Sequence, residues 1–172
     1  LMIACSGHSG STLLSLCLDT HPQVAVFGEF ESLEKRISHK KNNSGLCSFH
    51  KSSCQVIDDQ EIRVLSHLYG NRGSLIRKIG FNLSHPYYVF HYRNRRSASI
   101  IVDSSKSVSW ATKMWKKFRW ILDQKLIILH RDPRGVVASF IRRGEVTDAQ
   151  IRYRAECWSK EQGQIETMVK KM

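Results

Sequence analysis

A chain of 172 residues with 41% hydrophobic and 9% aromatic content is long enough for one domain with a real core, and its five scattered cysteines exclude a disulfide-rich scaffold. Lys and Arg number 27 against 15 Asp and Glu, a net charge of +12. That excess favours an anionic partner, whether nucleotide, sulfated or phosphorylated ligand, nucleic acid or membrane surface, without choosing among them. No apolar run approaches the roughly 18 residues that a membrane helix needs. Because the chain opens directly in a strand-like run without an initiator Met, it reads as a sequence trimmed at one or both ends.

The first stretch joins an apolar run, Leu1 to Cys5, to the loop Ser6-Gly7-His8-Ser9-Gly10-Ser11-Thr12 and then to Leu13-Leu14-Ser15-Leu16-Cys17-Leu18 at helical spacing. A strand feeding a glycine-bearing turn that opens a helix is an anion cradle. Glycine lets the backbone approach the ligand, successive N–H groups converge on it, and the helix N-terminus adds about half a positive charge. Ser9, Ser11 and Thr12 add hydroxyl donors. A nucleoside-triphosphate loop would need G-x-x-x-x-G-K-[ST]. Here Gly7 and Gly10 stand closer together, and Ser11 follows the second glycine in place of Lys. An ordinary tight turn is the alternative reading of this loop alone. Cys5 and Cys17, in apolar surroundings, are expected as buried thiols.

Pro22 ends the helix, and Val24 to Phe27 reads as a second buried strand ending at Gly28-Glu29. The two strands and their helix predict a βαβ unit with parallel pairing, so the loop and Glu29 should face one crevice at the carboxyl ends of the strands. Residues 31–57 are polar and irregular and predict a surface insertion. Within it Cys47, His50 and Cys54 favour a loop disulfide or free thiols over a zinc site. Ile62, Leu65 and Leu68 predict a helix and 75–79 a second short one, whereas 81–98, with a His-Pro and Arg93, Arg95 and Arg96, reads as a variable loop.

Ser99 to Asp103 predicts a third strand running into Ser104-Ser105-Lys106-Ser107. Trp110, Met114, Phe118 and Ile121 recur at helical spacing. Leu126 to Leu129 reads as the clearest buried strand and runs into His130-Arg131-Asp132-Pro133-Arg134, with Pro133 suited to a helix's first turn. Val136, Val137, Phe140 and Ile141 are its core face. Thr147-x-x-Gln150 is a capping box before a long amphipathic helix whose stripe is Ile151, Ala155, Trp158, Ile165, Val169 and Met172. The fold class is therefore α/β, a parallel sheet flanked by helices in a single domain spanning 1–172.

Taken in order, these strand-end sequences resemble the sulfotransferases that use 3′-phosphoadenosine 5′-phosphosulfate (PAPS), in a P-loop NTPase-like fold. That family's first loop, [RK]-S-G-[ST]-[ST]-L, is matched by Ser9-Gly10-Ser11-Thr12-Leu13, and its R-D-P-R-x-x-x-x-S by Arg131 through Ser139. Leu18 through Glu29 is similar to the segment that leads to a catalytic carboxylate. The resemblance implies that Gly7, His8, Ser9, Gly10, Ser11 and Thr12 wrap the 5′-phosphosulfate and that Arg131 and Ser139 hold the 3′-phosphate. It further implies that Lys106 steadies the bridging oxygen and that Glu29 is the base, with Glu31 its competitor. One departure stands out, because relatives carry Arg or Lys where this chain has His8.

The resemblance also implies a nucleotide donor, no required metal, an acceptor hydroxyl or amine on a carbohydrate or other biomolecule, and no specific nucleic-acid partner. A bacterial cytosol and a Golgi lumen both fit it. Two other readings stay open at this point. One is a P-loop kinase or NTPase with Asp103 on magnesium, and the other is a non-enzymatic basic module that binds polyanions.

Overall fold

A computed structural model describes residues 1–31 and 74–171. Four strands, β1 (Met2–Cys5), β2 (Val24–Gly28), β3 (Ile100–Lys106) and β4 (Leu126–Leu129), form one sheet in the order β2-β3-β1-β4, and every pairing is parallel. The helices are α1 (Ser11–Asp19), α2 (Ser74–Arg95), α3 (Val108–Phe118), α4 (Pro133–Arg142) and α5 (Ile151–Val169), the last preceded by a 3₁₀ turn over Asp148–Gln150. None of the described helices is long and apolar enough to cross a membrane.

Alternation along the strands divides the core between the two faces of the sheet. Met2, Ala4, Ala25, Phe27 and Ile101 point to the face covered by Tyr88 and Tyr92 of α2, Trp110, Met114 and Phe118 of α3, and Met168 of α5. Ile3, Cys5, Val26 and Val102 point to the other, where Leu14 and Leu18 of α1 pack with Ile127 and Leu129. β1 and β2 are parallel as expected, but β3 lies between them rather than β2 pairing with β1 directly. The chain thus leaves β1 toward one side of the sheet and returns from β3 to the other. The carboxyl ends of β1 and β3 flank the point where the winding reverses, which is where open α/β sheets hold ligands.

Two irregularities shape that end of the sheet. Between Met2↔Asp103 and Ala4↔Lys106, β3 carries one residue more than β1, and between Val26↔Val102 and Gly28↔Asp103, β2 carries one more than β3. Each extra residue re-aims the side chains beyond it. β3 also runs three residues past the expected end at Asp103, so Ser104 to Lys106 belong to the strand.

Several expectations are corrected. The stretch 81–98 is helical through Arg95 rather than a loop, and the short helix expected over 75–79 is its first part. Pro86 inside α2 costs about 3 kcal/mol. Burying the rings of Tyr88 and Tyr92, the latter edge-on to Phe27 with centroids 5.1 Å apart, contributes roughly 1.5–3 kcal/mol per side chain. The packing outweighs the proline.

Cys17 is exposed, not buried, because α1 turns Ser11 and Ser15 to the sheet and leaves Leu13 and Leu16 outside. Small hydroxyl side chains let the helix start lie close to the strand ends. β4 is only half-buried, because it is a sheet edge. α3 ends at Phe118, which leaves Ile121 exposed. On α5 the buried positions are Gln162, Ile165 and Met168, while Val169 is exposed. The Cys47, His50 and Cys54 group, the helix through Ile62 to Leu68, the insertion beyond Glu31 and Met172 lie outside the described residues.

Candidate functional site

The first loop folds as an open cradle. Gly10 is the residue before α1, with φ +96°, and a Cβ built on it meets nothing within 4 Å. No side chain caps the helix there. The N–H groups of the first turn have no partner inside a helix, so without a cap they are left for something else. Ser9 is buried, and its Oγ has no hydrogen-bond partner among the described residues. A buried hydroxyl without a partner costs about 1–3 kcal/mol, which a bound acceptor would remove. Ser11 is buried with its hydroxyl beside the Cys5 thiol, Thr12 is exposed, and Gly7 lies against Phe140. These donors fit a phosphate or phosphosulfate.

Arg131 follows β4 and reaches this loop directly, its Nη1 donating to the His8 carbonyl oxygen at 2.8 Å. Asp132 does not pair with it. That carboxylate caps α4 by accepting from the Arg134 backbone N–H at 2.8 Å and is gripped by the Arg134 guanidinium at 2.6 Å, which holds it at about 2, below the usual carboxylate value. The Arg131 fork keeps donors to spare, and it lies against Gly135, where a Cβ would come within 3.1 Å of Nε. Ser139, about two turns further on, has its Oγ 3.2 Å from His8 Nδ1. Arg131, His8 and Ser139 thus meet around one loop.

The second group stands across the crevice. Lys106 Nζ donates to Glu29 Oε1 at 2.6 Å, with both side chains about a quarter exposed. Lys106 adopts the left-handed conformation, φ 66°, as does His8, φ 60°. A non-glycine residue held there costs of order 1–3 kcal/mol, and such strain persists where surrounding contacts enforce it. The two groups are close: burial pushes the Cys5 thiol above its usual value, and that thiol also feels the charges of both Lys106 and Glu29.

Asp103 holds the backbone that follows Glu29. Its carboxylate accepts from the Ser105 N–H at 2.9 Å, from the Ser105 hydroxyl, from Trp110 Nε1 at 2.7 Å and from the Phe30 N–H at 3.4 Å. The Ser105 Oγ in turn accepts from the Glu31 N–H at 3.0 Å. Burial pushes the Asp103 carboxyl above the ordinary carboxylate range, against the pull of those hydrogen bonds. A carboxylate so engaged inside the core is a structural anchor rather than the magnesium ligand that the kinase reading would need.

The family model for the sulfotransferase family matches residues 1–171. The chain belongs to the sulfotransferase family. No curated protein and no solved structure gives a match. The sulfotransferase match spans both groups just described, the loop with Arg131 and Ser139 and the Glu29–Lys106 pair. Among the described residues of this sulfotransferase, no cluster of three or more His, Cys, Asp or Glu is arranged to hold a metal ion.

Two contributors went unnoticed in the sequence. Gln162 of α5 is buried and donates from Nε2 to Ser6 Oγ at 2.9 Å, under the loop. Its signal was a polar residue at a stripe position, between Trp158 and Ile165. Glu145 lies 3.1 Å from His8 Nε2 and had no sequence signal. Of the arginines at the end of α2, Arg93 donates to the Ala98 carbonyl at 3.2 Å and so closes the helix. A cavity of about 560 Å³ opens at the opposite, amino end of the strands, lined by Met2, Val89, Ile101 and Met114 among others. Its lining also includes Phe30, the residue after Glu29, and Asp103, which accepts the Phe30 N–H.

Proposed function

We propose that the protein transfers the sulfuryl group of PAPS to a hydroxyl or amine of an acceptor, a carbohydrate or other biomolecule, and that residues 1–172 belong to a single catalytic domain. The observation that carries this reading is the 2.8 Å bond between Arg131 and the His8 carbonyl, because it sets the guanidinium beside the cradle of Ser9, Gly10 and Ser11. One anion would meet backbone donors and the Ser9 hydroxyl, while a second, roughly dianionic phosphate would meet the Arg131 fork and Ser139.

The bound donor would supply an activated sulfuryl group. Glu29 takes the acceptor's proton as it attacks sulfur. Lys106, already at Glu29, brings a positive charge to the oxygen on which negative charge builds when the S–O bond breaks. Fixed donors of this kind stabilise the departing phosphate, and the proposal requires no metal.

Titration with adenosine 3′,5′-bisphosphate tests it. Arg131→Ala should weaken binding at least about tenfold, since a hydrogen bond to a charged group is worth about 1.5–3 kcal/mol, and Ser139→Ala should weaken it less. Labelled PAPS with a panel of acceptors should then show transfer. Unchanged affinity in both variants would refute the assignment.

A further inference from the structure

Glu145, on the turn after α4, belongs to none of the roles above, yet it holds the residue on which the two halves of the nucleotide site meet. Its Oε2 lies 3.1 Å from His8 Nε2, the other ring nitrogen lies 3.2 Å from Ser139 Oγ, and the ring packs on Phe140 with centroids 3.9 Å apart. With Arg131 on its carbonyl, His8 is held at four points, which sustains its left-handed backbone.

The hydrogen-bond roles follow from the chemistry of the partners. A carboxylate only accepts, so His8 Nε2 carries a hydrogen. Nδ1 then has two options. In neutral imidazole it is a lone pair, and the Ser139 hydroxyl must donate to it. In imidazolium it is an N–H that donates to Ser139 Oγ, and the hydroxyl proton is released. Phosphate oxygens also only accept. Ser139 can therefore donate to a phosphate without breaking its bond to His8 only when His8 is protonated.

Several charged groups stand around the ring. Arg131 approaches from the β4–α4 loop, and Arg154 of α5 lies 4.6 Å from the Phe140 ring on which His8 packs. Arg143 Nη1 is 4.0 Å from Glu145 Oε1. Among the described residues Glu145 is the one carboxylate that meets the ring.

We propose that Glu145 is a positioning residue of the 3′-phosphate subsite, holding His8 through Nε2 so that the protonated ring turns the Ser139 hydroxyl into a donor for a phosphate. This rests on the PAPS reading above. It also accounts for the place of His8 in the loop, with its ring on Ser139, Glu145 and Phe140.

The test compares Glu145→Gln with the wild type by calorimetric titration of adenosine 3′,5′-bisphosphate into the full chain near pH 6 and near pH 8. The ligand's own titration is common to both proteins and cancels in the ratio of their dissociation constants. That ratio should be about ten near pH 6, the worth of one charge-assisted hydrogen bond, and should fall toward one near pH 8. In a His8→Arg background the ratio should lose its pH dependence. A ratio equal at both pH values means that Glu145 is merely structural, and this overturns the proposal while the PAPS reading stands. If Arg131→Ala also leaves affinity unchanged, the PAPS reading falls with it.

Discussion

Glu29 and Lys106 are separated by 77 positions in sequence and by 2.6 Å in space. If Glu29 removes the acceptor proton, Glu29→Gln should lower kcat by about 10²-fold or more, the range for general bases, while affinity for adenosine 3′,5′-bisphosphate changes little. Steady-state kinetics beside a binding titration separates the two effects, and parallel losses in both would assign Glu29 to donor binding instead. Gly135 offers a sharper discrimination. Alanine in place of glycine inside a helix raises stability by up to about 1 kcal/mol, but a Cβ here would meet Arg131 Nε at 3.1 Å. Gly135→Ala should therefore hold or raise the melting temperature while weakening bisphosphate binding several-fold. A variant that is neutral in binding would show that the guanidinium has other room. The signal for these residues was the match of the loop, strand-end and R-D-P-R-x-x-x-x-S sequences to the sulfotransferase motifs, and Arg131, Ser139, Glu29 and Lys106 were all singled out from it. Glu145 was not, because a carboxylate that acts by touching another side chain has no local pattern to betray it, whereas Gln162 carried a signal as a polar residue on an apolar stripe.

At the scale of elements, the reading succeeded where one period of hydrophobicity dominated and failed where packing overrode local preference. Trp110, Met114 and Phe118 gave α3 by spacing alone, and all three are buried. The end of α2 looked like a loop because Pro86 and three arginines argue locally against a helix, whereas the contacts of Tyr88 and Tyr92 with the sheet are non-local. α1 misled in the opposite sense, since Leu13 and Leu16 suggest burial yet lie exposed, while Ser11 and Ser15 are buried. Asp103 shows how an element end can carry more than its own strand. Removing its carboxylate leaves Trp110 Nε1 and the Phe30 and Ser105 N–H groups facing the core without their acceptor. Asp103→Ala should cost about 3 kcal/mol or more, since each buried donor left without its acceptor costs about 1–3 kcal/mol, and lower the urea midpoint accordingly. Asp103→Asn, which keeps one acceptor oxygen, should recover part of it. A loss below about 1 kcal/mol in both would mean that the strand end is held by packing alone.

At the scale of the whole molecule, the parallel α/β class was legible from apolar runs that alternate with amphipathic helices, but the strand order was not, since nothing local to β2 says that β3 will come between it and β1. That insertion brings three helices onto one face and encloses His85 among Phe30, Trp110 and Phe118. Burial first, and then the positive charges of Lys113 and Lys117, hold this imidazole down at about 3. The folded chain therefore keeps it neutral where the unfolded chain protonates it. The resulting stability is complete above about pH 6.5 and is lost as the pH falls toward 3, at roughly 1.4 kcal/mol per pH unit. Asp103, whose carboxyl is raised, acts with the opposite sign, so a single acid-unfolding curve mixes the two. His85→Phe isolates the histidine because it leaves Asp103 in place and keeps a ring in the aromatic cluster. Urea unfolding of both proteins between pH 7 and pH 5 should show the variant gaining about 2 kcal/mol relative to the wild type over that interval. Parallel curves would show that the enclosed imidazole takes up its proton without unfolding, and that the face built by α2, α3 and α5 admits water.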